Sequence, residues 1–202
     1  MKKDAREARV RTAFRKAGGV LRTTQALQAD VHPRDLYALR DAGVLEQVSR
    51  GVFRLSDLAP FADPDLMTVA LRIPKAVIAL ISALHFHGLT TEIPHEVSIA
   101  LPQGTARPKL AWPPLRVYRF SGAMFTFGIE THERDGIGLR VYGAAKTVVD
   151  CFKFRNRLGI EVAVEALRTG IGERKTTSAE ILRAARTCRV ERIVRPYLEE
   201  IQ

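Results

Sequence analysis

Val10, Ala13, Phe14 and Ala17 recur at i, i+3, i+4 and i+7, the spacing of one apolar stripe along an α-helix. The pattern predicts a helix over residues 4–17, with Arg6, Arg9, Arg11, Arg15 and Lys16 filling much of the remaining surface. Gly18-Gly19 ends it, because glycine takes the positive φ of a helix C-terminal cap without strain. Val20-Leu21-Arg22 reads as a short strand. Thr23 or Thr24 is placed to cap a short helix through Ala29. Asp30-Val31-His32 makes a turn, and Pro33 stands where the first residue of a new helix tolerates a missing N–H. That helix runs to Ala42 and stops at Gly43. Val44–Val48 and Val52–Leu55 read as two strands joined at Ser49-Arg50-Gly51.

The order of helix, short strand, helix, helix and hairpin is the layout of a winged helix-turn-helix. The expected domain spans residues 1–57. A polar, proline-bearing linker follows at 58–64, and residues 65–202 are expected to form a mixed α+β domain with a small sheet and C-terminal helices. Within it, Asp65–Arg72 reads as a helix. Lys75–His87 reads as a second one, apolar almost all round through Val77, Ile78, Leu80, Ile81 and Leu84, which suits a core position. Glu96–Leu101, Arg116–Phe120, Phe125–Glu130 and Gly138–Tyr142 read as strands, and Asp135-Gly136 as a hairpin turn. Pro102–Pro114 holds four prolines and a glycine and reads as a loop. The chain ends in helices at 144–156, 160–169, 178–187 and 190–201, the third capped by Thr177 or Ser178. The expected fold class is α+β.

Charge changes the picture by pointing to a partner. The chain carries a net charge of +10, which favours an anionic one. Residues 1–56 hold 12 Lys+Arg against 6 Asp+Glu. In the helix over 33–42, at about 100° per residue, Leu36 and Leu39 define the inward face. Arg34 points almost opposite to them, Tyr37, Ala38 and Asp41 also face outward, and Arg40 lies on a flank. An arginine near a helix start, aimed away from the core, suits base edges or phosphate. Arg50 sits at the hairpin tip. Arg22, Thr23, Thr24 and Gln25 open the preceding helix, where N-terminal amides and hydroxyls can hold a phosphate. Together with His32, these are the expected contacts to double-stranded DNA. The alternative is a winged helix that docks onto another protein, with Arg34 solvated and Asp35 paired to a neighbouring arginine.

The segments Leu36-Tyr37-Ala38-Leu39-Arg40-Asp41-Ala42-Gly43 and Ser49-Arg50-Gly51-Val52-Phe53-Arg54-Leu55 resemble the winged domain of AbiEi-type antitoxins. Fragments of the second domain are similar to the same family: Leu80-Ile81-Ser82-Ala83-Leu84-His85-Phe86-His87-Gly88-Leu89, Ala145-Lys146-Thr147-Val148-Val149-Asp150-Cys151-Phe152-Lys153, and Arg195-Pro196-Tyr197-Leu198. The resemblance implies a transcriptional autorepressor that binds an operator, often at inverted repeats. It also implies the antitoxin of a type IV toxin–antitoxin pair, countering a nucleotidyltransferase-like toxin.

Other chemistry finds less support. His85 and His87 lie two apart on the expected helix, about 200° around it, so with His95 they are poorly placed to share a metal. Asp65 and Glu96 are spaced like the acids of a metal-dependent nuclease, but Ser98 stands where such a site wants a lysine. Lys146 and Asp150, at i and i+4, read as a surface pair. There is no phosphate-binding glycine loop or nucleophile motif. No cofactor, metal or enzymatic activity is expected. Cys151 and Cys188 have no CxxC neighbourhood and read as reduced thiols. The charged start of the chain and the lack of a long apolar stretch lead us to expect a cytoplasmic protein without a membrane partner. Finally, residues 153–195 hold 11 Lys+Arg against 5 Asp+Glu. There Lys153, Arg155 and Arg157 cluster at one helix end, and Arg183, Arg186, Arg189 and Arg192 recur every three residues. This is a candidate second basic surface.

Overall fold

The computed structural model describes residues 2–201 and is mixed α+β. The chain forms two compact units. One runs through Pro74 and takes in Glu133–Gly138; the other holds Lys75–His132 and the chain from Leu139 onward.

The first unit begins with α1 (Lys2–Lys16), β1 (Val20–Arg22), α2 (Thr23–Gln28) and α3 (Pro33–Asp41). It continues with β2 (Leu45–Ser49), β3 (Val52–Leu55) and α4 (Pro64–Arg72). β3 lies between β1 and β2 and is antiparallel to both. Val10, Phe14, Leu21, Ala26, Val31, Leu36, Leu39, Leu45, Phe53 and Leu55 close into one core, so the apolar stripe of α1 and the inward face of α3 meet against the sheet. Arg50 and Gly51 make the β2–β3 turn, and Gly51 carries the positive φ of 70° that the turn requires. Neither Thr23 nor Thr24 caps α2, contrary to the sequence reading. Arg22 is the residue at the cap, and its N–H donates to Gln25 Oε1 at 2.9 Å. Thr23 is instead committed elsewhere: both its N–H (2.8 Å) and its hydroxyl (3.2 Å) donate to Gly51 O. The segment after β3 is also tied down. Arg54, buried in β3, donates to Glu46 at 2.7 Å and to Ala59 O, and lies over the Phe61 ring at 4.5 Å.

The second unit holds β4 (Val77–Ile78), α5 (Leu80–Phe86), β5 (Val97–Pro102), β6 (Leu115–Phe120) and α6 (Ala123–Thr126). Then come β7 (Ile129–Arg134) and β8 (Ile137–Tyr142), whose shared tip belongs to the first unit, and α7 (Ala144–Lys153). The helices α8 (Arg155–Leu158), α9 (Ile160–Gly172), α10 (Ser178–Thr187) and α11 (Glu191–Ile201) complete the chain. The sheet order is β6-β5-β4-β8-β7. The apolar run at 75–87 is therefore not one helix. Val77 and Ile78 pair with Ala100 and Ile99 on one side, and Ile78 with Val141 on the other. Their backbone is spent on the sheet, and the helix starts only at Leu80, which turns the chain at φ 49°. Nor is Phe125–Glu130 one strand: Gly122 and Gly128, both at positive φ, bracket the short α6, and β7 starts beyond them. Asp135-Gly136 makes the β7–β8 turn, with positive φ at both residues, as a tight hairpin wants. Thr177 caps α10, accepting from the Glu180 N–H while Glu180 accepts from the Thr177 N–H, a capping box.

Lys146 and Asp150 do not lie on the surface. Both side chains of this i, i+4 pair are sealed from solvent, at 1% and 0% exposure. The physical reason is coverage: the Lys146 ammonium sits 4.8 Å from the Phe120 ring and 4.2 Å from the Tyr142 ring, which close over α7 from the sheet. Burial pushes the Asp150 carboxyl up to about 6, against the pull of Lys146. His87 Nε2 contacts Tyr142 O at 2.7 Å, so this histidine is a packing and hydrogen-bonding residue near the end of α5.

Candidate nucleic-acid interface

α3 owes its direction to two local devices. His32 caps it, Nδ1 accepting from the Arg34 N–H at 3.2 Å, and Pro33 supplies the first helical residue. Asp35, buried at the base of the first turn, is ion-paired to Arg6 and, at 3.5 Å, to Arg9 of α1. This fixes the rotation of α3 about its axis. Leu36 and Leu39 point into the core at 0% and 5% exposure.

With the phase set this way, Arg34, Tyr37 and Ala38 face solvent. The phase expected from the two leucines is the one observed. Tyr37 stays 43% exposed while its ring packs edge-on against Phe53, centroids 5.5 Å apart. Arg40 lies on the flank and is engaged. Its guanidinium stacks 5.0 Å from the Tyr37 ring, pairs with Asp41 at 2.7 Å and donates to Gln47 of β2 at 3.2 Å. Arg40 thus braces the outward face of α3 against the wing.

Arg50 is exposed at the tip of the wing. Neither Arg34 nor Arg50 has an ion-pair partner among the described residues. Arg22, Thr24 and Gln25 are exposed around the start of α2, and Thr23 is half-buried against Gly51. The nine candidates named from the sequence therefore divide by what they do. The side chains of Arg34, Tyr37, Arg50, Arg22 and Thr24 carry polar groups with no hydrogen-bond or ion-pair partner among the described residues. His32, Thr23, Gln25 and Arg40 are hydrogen-bonded parts of the frame. Two parts of that frame could not be read from the sequence: the double hydrogen bond from Thr23 to Gly51, and the anchoring of Arg54 on Glu46 and Ala59. Both depend on which strands meet.

The candidate basic surface in the second unit is also partly committed. Lys153 donates to Cys188 O at 3.0 Å and Arg155 to Phe152 O at 3.0 Å, each meeting a carbonyl at a helix end. Arg157 lies 5.9 Å from the Phe154 ring, and Arg186 pairs with Glu191 at 3.2 Å. Arg183, Arg189 and Arg192 are exposed. Of the acids considered for metal chemistry, Glu96 is ion-paired to Arg116, and Asp65 lies in α4 of the first unit.

The part of the first unit from α1 to β3, with three helices, a three-stranded sheet and a wing, is a winged helix-turn-helix. Residues 8–56 match the family described as "Transcriptional regulator, AbiEi antitoxin". Among solved structures the chain is similar to the RV2827C protein from Mycobacterium tuberculosis, with a TM-score of 0.57 and 18% identity. That likeness covers 90% of this chain and 71% of the other, and at this identity it is one of fold. No curated protein sequence matches the chain. Among the described residues no helix is long and apolar enough to cross a membrane.

Proposed function

We propose that this protein is a DNA-binding transcriptional repressor acting on its own operator, with α3 in the major groove and the wing tip on the adjacent backbone. One observation carries the reading. Arg34 and Arg50, exposed and without an ion-pair partner among the described residues, stand on the outward face of the recognition helix and at the tip of the wing of one small unit. Arg34 is placed for a base edge, Tyr37 for sugar or phosphate, and the side chains of Arg22 and Thr24 for a phosphate. His32, Gln25 and Arg40 hold these groups in place. The winged domain's similarity to AbiEi regulators supports the same reading. It extends it to an antitoxin role against a nucleotidyltransferase-like toxin, working in the cytoplasm without catalysis of its own.

The test is a mobility-shift or anisotropy titration with duplex DNA from upstream of the protein's own gene, in the presence of unrelated competitor. Binding that resists competitor and falls steeply with salt is expected. An absence of binding at low salt, where phosphate contacts are strongest, defeats the proposal and leaves a protein-docking winged helix. The antitoxin role is tested separately, by co-expression with the product of the adjacent downstream gene: relief of growth arrest supports it, and continued arrest defeats it.

A further inference from the structure

Strand β6 is one of the two edge strands of the second unit's sheet and is paired with β5. Successive residues of a strand point to opposite faces, so Leu115, Val117 and Arg119 share one face and Arg116 belongs to the other. All four nevertheless line a single surface cavity of about 400 Å³, together with Arg107 from the loop that follows β5 and with Glu96. A cavity lined from both faces follows the free edge of the strand rather than either surface of the sheet.

Its charge is one-sided. Three guanidinium groups face it against one carboxylate, and that carboxylate is already paired with Arg116. Arg119 Nη1 is buried and has no hydrogen-bond partner among the described residues. An edge strand also presents a row of backbone N–H and C=O groups. An extended polypeptide satisfies such a row; a phosphate cannot, although it would satisfy the arginines. Edge charges of one sign repel a like-charged edge and attract the opposite one. We propose that the β6 edge docks an acidic extended segment of a partner protein. That segment would be added to the sheet as a further strand, its carboxylates meeting Arg107, Arg116 and Arg119.

The probes are a soluble peptide alternating Glu and Thr, its Lys counterpart, and an oligothymidine of equal negative charge, each titrated into isotope-labelled full-length protein. Amide shifts and slowed hydrogen exchange at residues 115–120 are expected with the Glu peptide and not with the Lys peptide. The double charge reversal Arg107→Glu with Arg119→Glu should weaken the Glu peptide roughly ten-fold and create binding of the Lys peptide. If that variant does not keep the wild-type spectrum elsewhere, Arg107→Ala on the exposed loop replaces it, with a roughly three-fold loss expected. No protection of β6 amides at millimolar Glu peptide overturns the proposal. So does a response to the oligothymidine that matches the Glu peptide in strength and location, which would make the cavity a phosphate site. The outcome is independent of operator binding by the winged unit.

Discussion

Asp35, at the start of α3, faces Arg6 and Arg9, which keep 37% and 57% of their side chains in water. Lys146 and Asp150 face each other along α7 with no contact with solvent to speak of. Both are acid–base pairs on helices, yet they work differently. Around Asp35 the carboxylate is buried but both arginines stay in water, which screens them and keeps the net worth of the pairing modest. Its value is directional: it sets the rotation of a helix whose other face is free for a partner. In the interior, each ion is tolerable only because the other is present, and removing one leaves a desolvated charge. The winged unit spends its charge outward. The second unit encloses this pair within its hydrophobic core.

The largest effect should follow from breaking the enclosed pair. Asp150→Ala should cost about 3–5 kcal/mol in urea denaturation, whereas Lys146→Met with Asp150→Leu should recover most of that loss; a single variant within 1 kcal/mol of wild type would erase the contrast. Next comes the outward charge. Arg34→Ala should weaken operator binding by about 1–3 kcal/mol without lowering the denaturation midpoint, and an unchanged affinity would remove Arg34 from the interface. Asp35→Ala should cost about 1 kcal/mol of stability, and its effect on binding should exceed that of removing another exposed acid if it orients α3. The smallest effect concerns pH. Burial holds the His87 imidazole below its ordinary 6.5. The folded state therefore binds fewer protons than the unfolded one just below that value. Its contribution is complete above pH 6.5 and is lost as pH falls below it. The Asp150 carboxyl, raised to about 6, works in the opposite sense as pH falls through that value, so the readout is the difference: from pH 7.5 to 5 the stability of the wild type relative to His87→Gln should decline.

The winged unit was legible in the sequence because local signals bound each of its elements: Gly18-Gly19 after α1, Pro33 before α3, Gly43 after it, and Arg50-Gly51 at the wing. The outward aim of Arg34 followed from Leu36 and Leu39 alone. The capture of Arg40 by Asp41 and Gln47 did not, because it depends on where β2 docks. In the second unit, Val77-Ile78 looks like the start of a buried helix, since a short apolar run has no period of its own. What makes it a strand is its pairing with Ala100 and Val141, both distant in sequence. Likewise the spacing of Lys146 and Asp150 was plain. Their enclosure was not, because Phe120 and Tyr142 come from other elements.

The shared carbonyl of Gly51, accepting both hydrogen bonds from Thr23, couples the wing turn to the first residue of α2. The wing turn is therefore held in one posture in the free protein, and under the operator-binding proposal little ordering entropy would remain to be lost on contact. Association should run near the rate set by electrostatic encounter rather than wait on a loop to settle. Loosening that clasp with Thr23→Val, which keeps the backbone bond and removes the hydroxyl, should show first as faster dissociation.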